Sequence, residues 1–212
     1  MKSEGACYSC DKVFSGSAIG KHLISCEERK KQKSSTVSGK IFHFRASDGP
    51  FLVHFEVDGS RNLGEIDSFL RDLWLECCGH LSMFTINGKT YVSNPKAEYD
   101  DKSMKVSIER ILFPGVSFSY EYDFGSTTHL NLKCIETHSG SLKDVKILAR
   151  NNLPDFECSC GKKPEEVCQE CMANGEEFFL CKECKNSHEC DKDMRVLVVN
   201  SPRIGVCGYT GE

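Results

Sequence analysis

From Lys40 the chain alternates apolar and polar positions through KIFHFRAS, breaks at Asp48-Gly49-Pro50, and alternates again through FLVHFEV to Asp58-Gly59. A period of two places successive side chains on opposite faces, so the pattern predicts a β-hairpin with one buried face. Leu63, Ile66, Phe69, Leu70, Leu73 and Trp74 then recur at helical spacing. They predict one amphipathic helix, with Asn62 as N-cap and Glu65 as its capping-box partner. MFTI, Asn87-Gly88 and KTYVS form a second hairpin around a type I′ turn signal. Three short β-rich runs follow at 116–124, 129–136 and 144–149. Residues 41–150 therefore read as an α+β domain, a mainly antiparallel sheet or partial barrel packed on one main helix.

The flanks differ in composition. EERKKQKSSTVSGK after Cys26 is polar and nearly free of apolar residues, as in a solvated linker or a fraying helix end. It sets a first boundary near residue 40, and NNLPD at 151–155 sets a second. No run approaches the ~20 apolar residues of a membrane helix, and the charged first thirty residues do not resemble a secretory signal. The expected location is cytoplasmic. Of 212 residues, 27 are Lys or Arg and 31 Asp or Glu, a net charge of -4. The segments 1–40, 41–150 and 151–212 carry +4, -3 and -5, so only the first suits a polyanionic partner.

Fourteen cysteines in a reducing compartment read as metal ligands rather than disulfides where they pair at short spacing. Cys7-x2-Cys10-x11-His22-x3-Cys26 fits a ββα zinc finger whose helix presents its last two ligands one turn apart. Cys158, Cys160, Cys168, Cys171, Cys181, Cys184, His188 and Cys190 supply eight ligands in four close pairs, enough for two closed tetrahedral sites. An interleaved cross-brace, with Cys158, Cys160, Cys181 and Cys184 on one ion and Cys168, Cys171, His188 and Cys190 on the other, buries the short loops better than consecutive pairing. Three structural zinc ions are expected. Cys77 and Cys78 read as small buried groups closing the helix, Cys134 as a strand residue and Cys207 as part of the tail.

The runs HLSMFTINGKTY (80–91), FSYEYDFG (118–125) and CSCGKK…VCQEC…FLCKEC…HEC…VVNSPRIGVCGYTG (158–211) together resemble the plasmid pRiA-type open-reading-frame-three-like family, whose members are also known as transposon passenger TnpR-like proteins. The resemblance spans about 41–212 and leaves the finger as an addition. It implies a compact, mainly antiparallel α+β domain of prokaryotes and mobile elements, and no particular reaction. Family members continue Tyr-Asp-Phe-Gly as Asp-x-Trp-x-His. Here Tyr122-Asp123-Phe124-Gly125 runs on as Ser126-Thr127-Thr128-His129, so His129 falls one position early and turns to the opposite face of a strand. The family's His-Leu-His keeps only His80.

His80, Glu121, Asp123, His129 and His54 are the residues in which acid-base chemistry could reside, and none sits in a recognised catalytic spacing. No P-loop or dinucleotide fingerprint is present, and Asp123-Phe124-Gly125 lacks the other kinase elements. No catalytic residue is assigned. The chain therefore reads as a non-enzymatic zinc-binding regulatory or interaction protein whose favoured specific function is nucleic-acid association, with the finger helix reading about 3 bp and Lys21, Arg29, Lys30, Lys31 and Lys33 on phosphates. A protein–protein adaptor and an enzyme with an unrecognised site in the α+β domain are the alternatives. The tail 195–211 is expected to tie the zinc module to the main domain.

Overall fold

The computed structural model describes residues 3–32, 38–96 and 101–211. The finger comprises β1 (Glu4–Cys7), β2 (Val13–Ser15), α1 (Gly16–Ser25) and α2 (Glu27–Gln32). The first predicted hairpin is β3 (Lys40–Asp48) and β4 (Phe51–Asp58), which pair in register from Ile41–Asp58 to Asp48–Phe51. Gly49 has φ +50° at the first central position of its two-residue loop, the place where a II′ turn requires glycine. The predicted helix follows as α3 (Leu63–Leu70), extended by a π-helical turn over Arg71–Leu75. Next come β5 (Ser82–Ile86), β6 (Lys89–Val92), β7 (Lys102–Ser103), β8 (Ser117–Tyr122), β9 (Thr128–Ser139) and β10 (Lys146–Asn151). Asn87 and Gly88 both have positive φ, 49° and 73°, the type I′ geometry the Asn-Gly pair predicts.

These strands form one ten-stranded sheet in the order β2-β1-β10-β4-β3-β9-β8-β5-β6-β7. The sheet is mixed, because β6 and β7 run parallel. Helical structure is divided among short segments rather than gathered into one long helix. The expected capping box does not form: Asn62 makes no side-chain cap, and Glu65 faces Arg61 at 3.7 Å. The N–H groups of Leu63 and Gly64 donate to the carbonyls of Val106 and Met104, and the Glu65 N–H that a box would have served donates to the Asn62 backbone carbonyl, so backbone acceptors take the donors at this helix start.

One sheet face carries the main core, with Phe42, Phe44, Val53, Phe55 and Val57 packed against Leu63, Ile66, Leu70 and Trp74. The finger covers part of the other face. Its β1 hydrogen-bonds to β10, and Ile19 and Leu23 of α1 pack on Leu52, Leu148 and Ala149. Every residue of β4 is consequently buried, although its alternating sequence predicts one wet face. The finger is thus continuous with the sheet through its backbone.

The stretch after Cys26 is not a solvated linker where it is described. Residues 27–32 form α2, and Arg29, only 2% exposed, donates to Glu56 at 2.6 Å and Glu136 at 2.8 Å and to the Leu23 carbonyl at 2.7 Å. A guanidinium needs several acceptors when it leaves water, and β4, β9 and α1 each supply one.

The C-terminal module contains β11 (Glu166–Cys168), α4 (Gln169–Asn174), β12 (Phe179–Leu180) and β13 (Arg195–Leu197), with a three-stranded sheet ordered β12-β11-β13. Its own core is small: Cys168, Cys171 and Leu180. The tail beyond β13 returns to the main domain. Ser201 Oγ donates to the Trp74 carbonyl, and Arg203, fully buried, pairs with Asp123 at 2.6 Å.

Candidate metal centres

Among the described residues four groups of Cys and His converge, each with its donor atoms within 4.8 Å of one another. Zn–S bonds of about 2.3 Å place the corners of a tetrahedron about 3.8 Å apart, and the donor separations cluster around that edge.

The β1–β2 turn and α1 bring Cys7, Cys10, His22 and Cys26 together. Cys7 and Cys26 lie 4.0 Å apart and Cys10 lies 3.4 Å from His22 Nε2. Asp11 adopts φ +57° in the turn between the strands, a conformation Asp tolerates better than most residues. Phe14 stacks on the His22 ring at 4.0 Å between centroids. Burial and then the charge of Lys12 hold His22 below the usual imidazole range, leaving a neutral ring with a lone pair for a metal.

The C-terminal ligands meet in the interleaved arrangement, Cys158, Cys160, Cys181 and Cys184 in one group and Cys168, Cys171, His188 and Cys190 in the other. Cys160 and Cys181 are 3.5 Å apart, and Cys171 lies 3.5 Å from His188 and 3.7 Å from Cys190. Burial pushes the Cys158 thiol up, but backbone amides of Cys160 and Cys181 outweigh it and bring the thiol to about 6. At Cys168 the same opposition, led by burial and answered by the Cys171 amide, ends at about 7. Amides aimed at sulfur favour the thiolate, the form a metal binds.

The fourth group corrects the expected count of three. Cys77, Cys78, His80 and Cys207 come together, although Cys78 and Cys207 are 129 residues apart and their sulfurs 3.6 Å apart. Cys78 also lies 3.6 Å from Cys77 and 3.0 Å from His80 Nε2, and Cys207 lies 3.5 Å from the same nitrogen. Cys78 is exposed and Cys77 half-buried, so neither is the small core group the sequence predicts. The signal available in the sequence was Cys77-Cys78-x-His80 together with the unassigned Cys207. Local spacing could not join them, because the tail is brought back by tertiary contacts of Ser201 and Arg203. Cys134 does match a strand residue: burial pushes its thiol to about 12, and it belongs to the core.

The proposed phosphate-binding set is also revised. Arg29 is consumed by Glu56 and Glu136. Lys30 and Lys31 are exposed but paired with Glu27 and Glu28 one turn away, Lys21 is exposed, and Lys33 lies outside the described residues. Of the acid-base candidates, His129 points outward beside Glu121 at 3.6 Å, consistent with the one-residue slip. His80 and Asp123 meet at 3.5 Å.

His54 is buried beneath α1, 2.9 Å from the His43 ring. The helix passes so closely that a Cβ at Gly20 would sit 3.2 Å from the imidazole. Burial, then the charges of His43, Arg45 and Arg29, holds His54 at about 3, and burial also lowers His43. The unfolded chain takes up a proton near pH 6.5 and the folded chain does not, so acidification below 6.5 favours unfolding. Between pH 6.5 and 5 His54 alone is expected to remove about 2 kcal/mol of stability. Urea unfolding of the native chain and His54→Leu at both pH values checks this, since thiolate protonation acts on both proteins and cancels in the difference. Equal losses in the two would mean that the folded state protonates His54.

No family model matches this sequence, and no curated protein matches it. Among solved structures it is similar to a protein of unknown function, MM3350 from Methanosarcina mazei Go1. That alignment has a TM-score of 0.45 and 13% identity, covering 53% of this chain and 69% of the other.

Proposed function

We propose that this chain is a non-enzymatic zinc-binding interaction protein, with permanent zinc ions building the finger and the C-terminal module and a protein as its partner. The observation that carries the reading is how the finger is used. Its inner face and Arg29 are spent on the sheet, while Tyr8, Val13 and Ile24 remain roughly half exposed at 55%, 56% and 48%. A finger that reads DNA does so from the residue preceding the helix and from its third and sixth positions. Here those are Ser15, Ala18 and Lys21, two of them too short to span a groove. Closed four-donor sites leave no coordination position for a substrate, which supports a framework role for the metal. Kinship of 41–212 with the plasmid open-reading-frame family is part of the same proposal. Its support is that His80, Asp123 and Arg203, drawn from the three resembling stretches, adjoin in space.

Fluorescence anisotropy of the zinc-loaded full-length protein against random DNA and RNA, at several salt concentrations, tests the choice of partner. Binding no tighter than the non-specific range of about 10⁻⁴ to 10⁻⁶ M is expected. A tighter complex with a steep salt slope that Lys21→Ala reduces would overturn the protein-partner reading. Affinity capture should retain a cellular protein that is lost when Tyr8, Val13 and Ile24 are replaced by Ser.

A further inference from the structure

The group formed by Cys77, Cys78, His80 and Cys207 differs from the other three in what surrounds it. Each of the others contains two buried cysteines, whereas this one has none: Cys78 and Cys207 are exposed, and Cys77 and His80 are half-buried. It also has a supporting carboxylate, because His80 turns Nε2 toward the sulfurs and faces the Asp123 carboxylate with Nδ1 at 3.5 Å. A ligating histidine characteristically directs its second nitrogen at such a group, which fixes the ring and strengthens it as a donor.

The ligands are also held in place by contacts that need no metal. Arg71 donates to the His80 carbonyl at 2.7 Å and to Ser82 at 2.9 Å, fixing the strand entrance that carries His80. Arg203 donates to Asp123, to Thr128 Oγ1 and to the Ser126 carbonyl, and its guanidinium lies 4.8 Å from the centre of the Tyr122 ring. Cys207 follows four residues later, in a positive-φ turn with φ 52°. Asp123 therefore braces both halves of the set, orienting His80 and anchoring the segment that delivers Cys207.

We infer that this group is a fourth zinc site, and an exchangeable one, which loads and releases its ion at the surface while the fold and the other three ions persist. Three sulfurs and one imidazole are a donor set suited to zinc. Two solvent-facing thiolates give an incoming chelator or small thiol direct access to the ion. Loss of the ion leaves the tail held by Arg203 and Ser201, so release does not require unfolding. In the C-terminal module, by contrast, metal binding and folding are coupled. The inference rests on the reading of the other three groups as permanent zinc sites.

The test is zinc content per chain of the full-length protein, followed by release to the chromogenic chelator 4-(2-pyridylazo)resorcinol. Four equivalents are expected, one leaving in a separate fast phase. Cys207→Ser and Cys78→Ser should each retain three equivalents, lack the fast phase and melt no lower than the parent stripped of its fast-phase ion. Three equivalents in the parent and both variants alike would show that the fourth group holds no zinc. Four ions leaving in one phase, or a variant losing more than one, would show that the site is not independently exchangeable. A parent retaining fewer than three ions would overturn the permanent-zinc reading instead.

Discussion

Removal of zinc from the C-terminal module is expected to unfold residues 158–197 while leaving β3 and β4 protected. The buried apolar cluster of that module is Cys168, Cys171 and Leu180, and its strands have two or three residues each. An apolar core that small stabilises by a few kcal/mol at most, whereas structural zinc contributes on the order of 10 to 16 kcal/mol. Hydrogen exchange read by mass spectrometry, with and without a strong chelator, should show loss of protection in β11, β12 and β13. Cys168→Ala should reproduce that loss with zinc present. Persisting protection after verified metal loss would mean that the tail and main domain hold the module without its ions.

Replacing Arg29 with Ala is expected to cost about 3 to 5 kcal/mol, the penalty for leaving one partner of a buried ion pair uncompensated. The mechanism runs through Glu56. Burial pushes its carboxyl up, but hydrogen bonds from His138 and Arg29 outweigh that and hold it at about 2. Without the guanidinium, Glu56 remains 6% exposed beneath the finger with His138 at 2.8 Å as its remaining ion-pair partner. Urea unfolding measures the loss, and the double variant Arg29→Met with Glu56→Gln should recover much of it by removing both charges. If the single variant unfolds like the parent, the finger is not fastened through this pair. The effect is the reverse of what a phosphate-binding Arg29 predicts, because such a residue could be replaced without loss of stability.

Local features were legible because they depend on neighbours in the chain. Both hairpins follow from period-two alternation and turn residues, Asn87-Gly88 most directly. The finger and the eight C-terminal ligands follow from the spacing of cysteines and histidines, since short pairs meet in almost any compact arrangement. The interleaved grouping was accessible for the same reason, as it follows from loop length. The start of α3 was not, because its Leu63 and Gly64 N–H groups are held by the carbonyls of Val106 and Met104, some forty residues on, and the Glu65 N–H turns to the Asn62 backbone rather than to its side chain.

Alternation and spacing along the chain suffice for the hairpins, for the abundance of metal ligands and for the local ligand pairs. Tertiary structure decided how each surface is used. The alternation of β4 specifies two faces but not that α1 and α2 cover the second, which turns His54 and Glu56 from solvent-facing positions into buried ones and Arg29 from a linker cation into their counterion. It likewise decided that Cys77, Cys78 and His80 have a fourth partner. The reason is the same in both cases: burial and coordination depend on distance in space, and the segments that supply Arg29 and Cys207 are brought to their partners by packing and salt bridges that no short window of sequence contains.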